Sequence, residues 1–388
     1  MIWANSIPVA KLGSRRTLSV VGLGLGLLFA VGSWVALRSL PWFGPLVADG
    51  LRGLLGSERV TRLEELEANA EDRVAQATQP STLRSLQDST PDELLSMTKV
   101  APSEARPPAN VAPLFAQAAS AEDGVWQSVR VRVGEPSLYR TLLHPDPERK
   151  YAELFVFSLD LARVRLHAVA GSIEPSSPTN TAQVARPGLI PLTERPHLIA
   201  AFNGGFKAEH GQFGMMVDGA ELLAPKPGSC TVAGLADGQL RIAPWTTLAP
   251  EAARLSWWRQ TPGCMVLNGA LSDGLRAGDT RDWGATLQGK TVIRRSAIGL
   301  SEDGRRLLVG ISNYTTARAI ALGMQRAGAL TVAQLDVNFS YPRFVLYSES
   351  ASSPGELHAV GAVKGFLSEP GEYLGRASTR DFFYVTAL

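Results

Sequence analysis

The chain has 388 residues, of which 45% are apolar and 19% charged, and its acids and bases interleave to a net charge of +2. That is enough apolar side chain for one large or two modest cores, and the absence of a basic block excludes a nucleic-acid partner. The sequence has neither an H-E-x-x-H nor a G-x-S-x-G pattern, which leaves zinc-protease and α/β-type serine-hydrolase chemistry without support.

Residues 17–37 form a run of 21 residues without a charge, preceded by Lys11, Arg15 and Arg16 and followed by Arg38. A run of that length spans a bilayer as a helix. The cations before it predict that residues 1–16 stay in the cytoplasm, that 17–40 act as a signal-anchor and that the bulk lies outside. A cleaved signal segment is the alternative, although no clean small-residue cleavage site closes the run.

Residues 41–123 read as a helical, then Pro-rich, spacer. Between residues 57 and 123 there is no glycine, and Phe115 is the sole aromatic. Val60, Leu63, Leu66, Ala70 and Val74 recur at helical steps. They form a narrow stripe suited to a short coiled coil, so self-association through this helix is expected as an option. Past Pro80 the chain turns to Pro, Ser and Ala, as in a segment that holds a domain away from a membrane.

Residues 124–388 read as one domain. Its class is α+β: mostly antiparallel mixed sheet with few helices. Asp218-Gly219, Asp237-Gly238, Asn268-Gly269 and Asp303-Gly304 each separate apolar runs, and such pairs are strong hairpin signals. Thr315 or Thr316 is placed to cap a helix running to about Ala327, and residues 329–337 read as a buried strand. Cys230 and Cys264 lack metal-type spacing and are either one disulfide or two core thiols. Asn313 and Asn338 stand in N-x-S/T patterns, which matter in a secretory host that glycosylates. Residues 284–291 satisfy G-x-x-x-x-G-K-T. A polar stretch precedes them where a phosphate-binding loop needs a buried strand, so nucleotide binding is not expected.

The densest site signal is the corner Asn203-Gly204-Gly205 after the apolar run 197–202. By itself it is a tight turn or a place where bare amides meet an anion or sugar. It is followed by Val217-Asp218-Gly219, by Asn268-Gly269 with Asp273-Gly274, by Arg294-Arg295-Ser296-Ala297-Ile298-Gly299, and by Leu335-Asp336-Val337-Asn338-Phe339-Ser340.

In that order these segments resemble the phosphodiester glycosidase family, whose members show an N-G-G-F-F corner, an N-G-G-P-like hairpin, an R-T-A-I-G strand and an L-D-G-G-G-S loop. The resemblance covers about residues 151–347. It implies removal of a sugar from a sugar-1-phosphodiester. Carried over by position, it implies a site lined by Asn203, Gly204 and Gly205, with Arg295 as the family's arginine, Asp336 as its aspartate and Ser340 as the serine closing the loop. A guanidinium suits a phosphodiester anion, and a carboxylate suits a developing oxocarbenium ion. Lys207 and His210 stand close enough in sequence to supply charge or a proton, although the family motif assigns them nothing.

The chain departs from the pattern at Val337, Asn338 and Phe339, where the family has three glycines. Val and Phe would block close approach of phosphate to backbone, while Asn338 offers a polar edge and Phe339 a stacking face for a sugar. No metal is expected at Asp336, since no second ligand has recognisable spacing, and no cofactor is expected.

Two functions follow. The first is a membrane-anchored, extracytoplasmic hydrolase acting on a glycosyl phosphodiester of an envelope glycan or glycolipid, with Asp336, Arg295, Asn203 and His210 catalytic and Gly204, Gly205, Lys207, Asn338 and Ser340 binding. The second is a catalytically lapsed glycan-binding or structural envelope protein on the same fold.

Overall fold

The computed structural model describes residues 43–78, 83–97, 107–130, 132, 138–176, 184–279, 281–283, 292–350 and 353–388. The apolar run 17–37 and the G-K-T segment 284–291 lie outside them. No helix among the described residues is long and apolar enough to cross a membrane.

The described chain opens with a helical pair, α1 (Phe43–Leu55) and α2 (Ser57–Ala77), followed by a short α3 (Asp92–Met97). Strands follow: β1 (Gln127–Val129), β2 (Leu138–Leu143), β3 (Leu154–Asp160), β4 (Val164–Val169), β5 (Leu198–Asn203), β6 (Met215–Val217), β7 (Ala220–Leu223), β8 (Cys230–Leu235) and β9 (Leu240–Pro244). After α4 (Trp245–Leu248) come β10 (Leu255–Thr261), β11 (Val266–Leu267), β12 (Ala270–Leu271) and α5 (Asp273–Ala277). The chain ends with β13 (Ile293–Ser301), β14 (Arg306–Thr315), α6 (Ala317–Arg326), β15 (Ala329–Val337), β16 (Phe344–Ser350), β17 (Ser353–Gly361) and β18 (Phe382–Ala387).

Local chemistry accounts for the joints. Asp218-Gly219 and Asn268-Gly269 hold positive φ at both positions (51° and 75°; 50° and 75°), the geometry of a tight hairpin turn matched to strand twist. They join β6 to β7 and β11 to β12. Thr316 caps α6 by accepting a hydrogen bond from the Ala319 amide, and Gly328 at φ 102° releases the chain into β15.

The strands form an eight-stranded sheet, β1-β2-β3-β14-β13-β15-β11-β12, and two five-stranded sheets, β7-β6-β10-β8-β9 and β17-β16-β5-β18-β4. Every pairing between these strands is antiparallel, and with the few helices this is the expected α+β class. Strand alternation sends Phe157, Ile298, Val309 and Leu335 to one face of the large sheet, into a core shared with Phe202, Phe344, Phe383 and Val232. The opposite face receives α6 through Ile320, Ala321 and Met324, together with Ala297, Val332 and Trp283. A line of rings bridges all three sheets. Phe157 of β3 stacks on Phe344 of β16 at 4.0 Å, Phe344 reaches Phe202 at 5.8 Å, Phe202 reaches Phe383 at 5.4 Å, and Phe383 meets Trp257 of β10 at 5.8 Å.

Within the stretch expected as a spacer, Leu86 and Leu94 are buried in the central core. Thr90 accepts a hydrogen bond from buried Arg140 at 2.7 Å. The Asp72 carboxylate takes both Nε and Nη2 of Arg149 at 2.9 and 3.1 Å. The described part of this stretch therefore lies against the domain, because isolated leucines among polar residues suffice to anchor it.

Cys230 and Cys264 form a disulfide. It closes a loop with a sequence separation of 34, so its reduction is expected to cost about 4 kcal/mol of stability by the loop-closure relation. Urea unfolding with and without reductant measures this, and coincident midpoints would refute it.

Candidate functional site

The glycine corner sits at the end of β5, and its chemistry is turned inward. Asn203 is fully buried. Its Nδ2 donates to Ser296 Oγ at 2.8 Å and to the Gly204 carbonyl at 3.1 Å, while its Oδ1 accepts the Arg343 amide at 3.1 Å. Asn203 thus ties β5 to β13 and to the chain entering β16. The Gly204 amide donates to the Asp381 carbonyl at 3.0 Å and the Gly205 amide to Asp381 Oδ2 at 2.8 Å. These two amides are not bare donors awaiting an anion.

Neither glycine has positive φ. Glycine is needed here for close approach instead. A Cβ on Gly204 would strike the Asp381 carboxylate and backbone, and one on Gly205 would lie 2.8–2.9 Å from the Arg259 guanidinium.

Arg259 of β10 and Asp381 are both essentially inaccessible and paired twice, Nε to Oδ2 at 2.9 Å and Nη2 to Oδ1 at 3.1 Å. Arg259 also donates to the Phe206 and Phe213 carbonyls. A buried charge pair is tolerated only where its remaining donors and acceptors are satisfied, as they are here.

Arg295 is not in this cluster. It alternates with Ser296, so when Ser296 meets Asn203, Arg295 points to the α6 face. There it donates to the Trp283 and Thr315 carbonyls and to Gln334 Oε1 at 2.5, 3.2 and 3.3 Å. It is fully buried, and desolvation pulls its pKa down to about 10. The expected grip of Arg295 on a phosphate is therefore corrected: the β13 pleat carries it to the far side of the sheet.

The guanidinium beside Asp336 belongs to Arg380. Between the Arg295–Val337 and Ala297–Gln334 pairs the register shifts, and this bulge breaks the alternation near the end of β15. Arg380 Nη2 donates to Asp336 Oδ2 at 2.6 Å and to the Gly205 carbonyl at 3.2 Å. Its Cζ lies 4.5 Å from the Tyr341 ring centroid, a cation–π contact, while its Nε is buried with no hydrogen-bond partner among the described residues. Burial works against the Arg380 charge, but Asp336 and its other neighbours outweigh that and raise its pKa.

Asp336 is 2% exposed, and both of its oxygens are used. Oδ1 accepts the Val337 amide at 2.9 Å, and Oδ2 also accepts Asn338 Nδ2 at 3.2 Å. Asn338 spends its Oδ1 on the Ser340 and Tyr341 amides at 3.0 and 2.6 Å. It shapes the 336–341 turn, and Ser340 enters that turn through its backbone. Phe339 lies on Arg294, whose Cζ is 4.5 Å from its ring centroid and 4.3 Å from that of Phe366. Tyr341 donates its hydroxyl to the Asp381 carbonyl at 2.9 Å. Burial, first of all, raises its pKa.

His210 and Lys207 border this centre. His210 Nε2 lies 3.4 Å from Glu209 Oε1, and Lys207 Nζ lies 3.8 Å from the same carboxylate. Burial lowers the His210 pKa, against the opposing pull of Asp336 and Glu209, so the ring is neutral at pH 7. Asp336, His210, Asn203, Gly204, Gly205, Asn338 and Ser340 thus share one region, and Arg295 is removed from it. Among the described residues no group of three or more His, Cys, Asp or Glu is placed to hold a metal.

Comparison with protein-family models finds no match, and comparison with curated proteins finds none either. Among solved structures, the chain is 14% identical to the zebrafish N-acetylglucosamine-1-phosphodiester alpha-N-acetylglucosaminidase catalytic domain auto-inhibited by pro-peptide. That match covers 79% of this chain and 94% of the other, with a TM-score of 0.41. A Synechocystis protein described as hypothetical is 11% identical over 68% of this chain and 62% of its own, with a TM-score of 0.39. At those scores neither match assigns an activity to this chain.

The sequence missed Arg380, Asp381 and Arg259. Arg380 and Asp381 lie beyond the motif-bearing stretch, and the available signal was their position directly before the apolar run 382–385.

Asp336→Asn leaves the buried Arg380 guanidinium without its countercharge and is expected to cost about 3 kcal/mol of stability. It also removes a charge that raises the His210 pKa, so the His210 midpoint, already below its ordinary value, falls further. The stability tied to this histidine is present above the unfolded value near 6.5 and is lost as pH falls toward the folded midpoint. A proton-detected NMR titration of His210 in the parent and D336N proteins measures the shift, and an unchanged or higher midpoint in D336N would refute it.

Proposed function

We propose that this chain is a membrane-anchored, extracytoplasmic hydrolase of the phosphodiester glycosidase kind, acting on a glycosyl phosphodiester of an envelope glycan or glycolipid. The observation that carries this reading is the Asp336–Arg380 pair, held at 2.6 Å within the electrostatic reach of a neutral His210. The anchor is the apolar run 17–37 with its preceding cations. The disulfide suits an oxidising compartment.

In this reading Arg380 turns its Nη2 from Asp336 to a phosphodiester oxygen, with Lys207 adding positive charge. The released Asp336 carboxylate faces the anomeric carbon and steadies the positive charge that develops there. Water attacks that carbon and gives a proton to His210. The bond from the anomeric carbon to the phosphate oxygen breaks, and its electron pair leaves with the phosphate monoester.

One observation favours the second reading, a glycan-binding protein without turnover. Three donors occupy the Asp336 carboxylate, and the side chain is almost inaccessible. In either reading the helix α2, whose Leu63, Leu66 and Val74 are exposed, offers a stripe for self-association between anchored copies.

The test uses the full-length protein in detergent with methyl diesters of glucose, galactose and N-acetylglucosamine 1-phosphates. Release of free sugar and methyl phosphate is expected, with a loss of about a hundredfold or more in Arg380→Gln. Arg295→Lys, whose side chain lies on the opposite face of the sheet, is expected to leave the rate constant for turnover within about threefold wherever the protein stays folded. Binding without release in the parent protein would establish the second reading, and absence of both would remove both.

A further inference from the structure

A second polar cleft, of about 330 Å³, opens where the edge strand β4 faces the sheet that contains β8, β9 and β10. It is separate from Asp336, Arg380 and His210, none of which lines it. Its wall carries two flat aromatic elements. The His167 and Tyr384 rings stack at 4.5 Å with 7° between planes, and His167 Nε2 is fixed 2.9 Å from Thr386 Oγ1. Burial, helped by Arg165, pulls His167 down to about 4, so this ring is uncharged at neutral pH.

Across the cleft lies Trp257, half-buried. Its indole lies over Gly234, its register partner on β8, where a Cβ would collide with the ring. Glycine at that position is what lets the indole lie along the cleft. The indole N–H makes no hydrogen bond among the described residues, and the Arg165 and Asp218 side chains have neither a hydrogen bond nor an ion pair there. Both also line the cleft. Arg165 acts electrostatically on His167, and Asp218 on Tyr384.

We infer that this cleft is a second binding site, for an uncharged pyranose ring. The chemistry selects that class. A cleft at the small end of ligand-pocket volumes, with aromatic faces and a few polar side chains, holds one ring rather than a lipid or a nucleotide. The apolar face of a pyranose lies on an aromatic face. Its hydroxyls both donate and accept, so they satisfy Asp218, which only accepts, and also Arg165 and the Trp257 N–H, which only donate. A phosphate would satisfy Arg165 but meet repulsion from Asp218. A free cation would do the reverse. The site does not depend on the reaction proposed at Asp336.

Saturation-transfer NMR of the full-length protein in detergent tests this, using methyl α- and β-glycosides of glucose, galactose, mannose and N-acetylglucosamine, with inorganic phosphate as competitor. At least one glycoside is expected to receive saturation. Arg165→Gln and Asp218→Asn, both changes of unpartnered side chains, are expected to weaken its binding about tenfold each, and Trp257→Phe to weaken it with the fold retained. Binding is expected to persist in Asp336→Asn and to resist phosphate. The inference is overturned by no saturation of any glycoside, by parent-like affinity in both R165Q and D218N, by displacement with phosphate, or by loss of binding in D336N alone.

Discussion

The buried Arg259–Asp381 pair is the constraint on which the rest of this architecture depends. Both side chains are closed to water, and such a pair persists only if every other polar atom around it is matched. Matching it fixes four pieces of chain. Asp381 holds the amides of Gly204 and Gly205, its carbonyl holds the Tyr341 hydroxyl, and Arg259 holds the carbonyls of Phe206 and Phe213. The end of β5, the start of β18, the middle of β10 and the turn after β15 therefore meet at one point. The glycines follow from this arrangement, since any side chain at 204 or 205 would occupy the space the pair needs.

The same constraint selects which groups meet at Asp336. Arg380 immediately precedes Asp381, so fixing Asp381 delivers the Arg380 guanidinium to the end of β15, where Asp336 meets it. Arg295 is carried the other way by the two-residue alternation of β13. Its neighbour Ser296 must face Asn203, and one position along a strand is one face of a sheet. A motif read along the chain does not encode that choice. It is made by the Asn203–Ser296 hydrogen bond.

Much of the fold was legible because its signals are local. The Asp218-Gly219 and Asn268-Gly269 turns, the Thr316 cap and the apolar run of β15 each lie within a few residues and have one good structural solution. That Asn203, His210 and Asp336 gather in one region was legible too. The direction of its side chains was not. The glycine corner offers amides to an anion or to a carboxylate of the same chain with equal ease, and the winner, Asp381, is 176 residues from Gly205. The docking of residues 84–97 was hidden for a related reason. Leu86 and Leu94 are single apolar residues in a polar setting, and their burial depends on a groove that exists only after the sheets have met.

The turn at residues 337–341 sets the surroundings of the Asp336 carboxylate. Asn338 supplies one acceptor, its Oδ1, to the Ser340 and Tyr341 amides and donates its Nδ2 to Asp336. The carboxylate is thereby held in a fully hydrogen-bonded state. A ligand that draws Arg380 away leaves a buried charge short of one partner, which costs several kcal/mol unless the ligand itself replaces the lost interaction. Positive charge developing on a sugar ring in a transition state would do so, whereas a neutral ground-state ring would not. In the proposed reaction, saturation at rest opposes release of the carboxylate, and only charge that develops on the sugar offsets that cost. If instead no such charge ever appears, the same saturation makes Asp336 an inert anchor for Arg380.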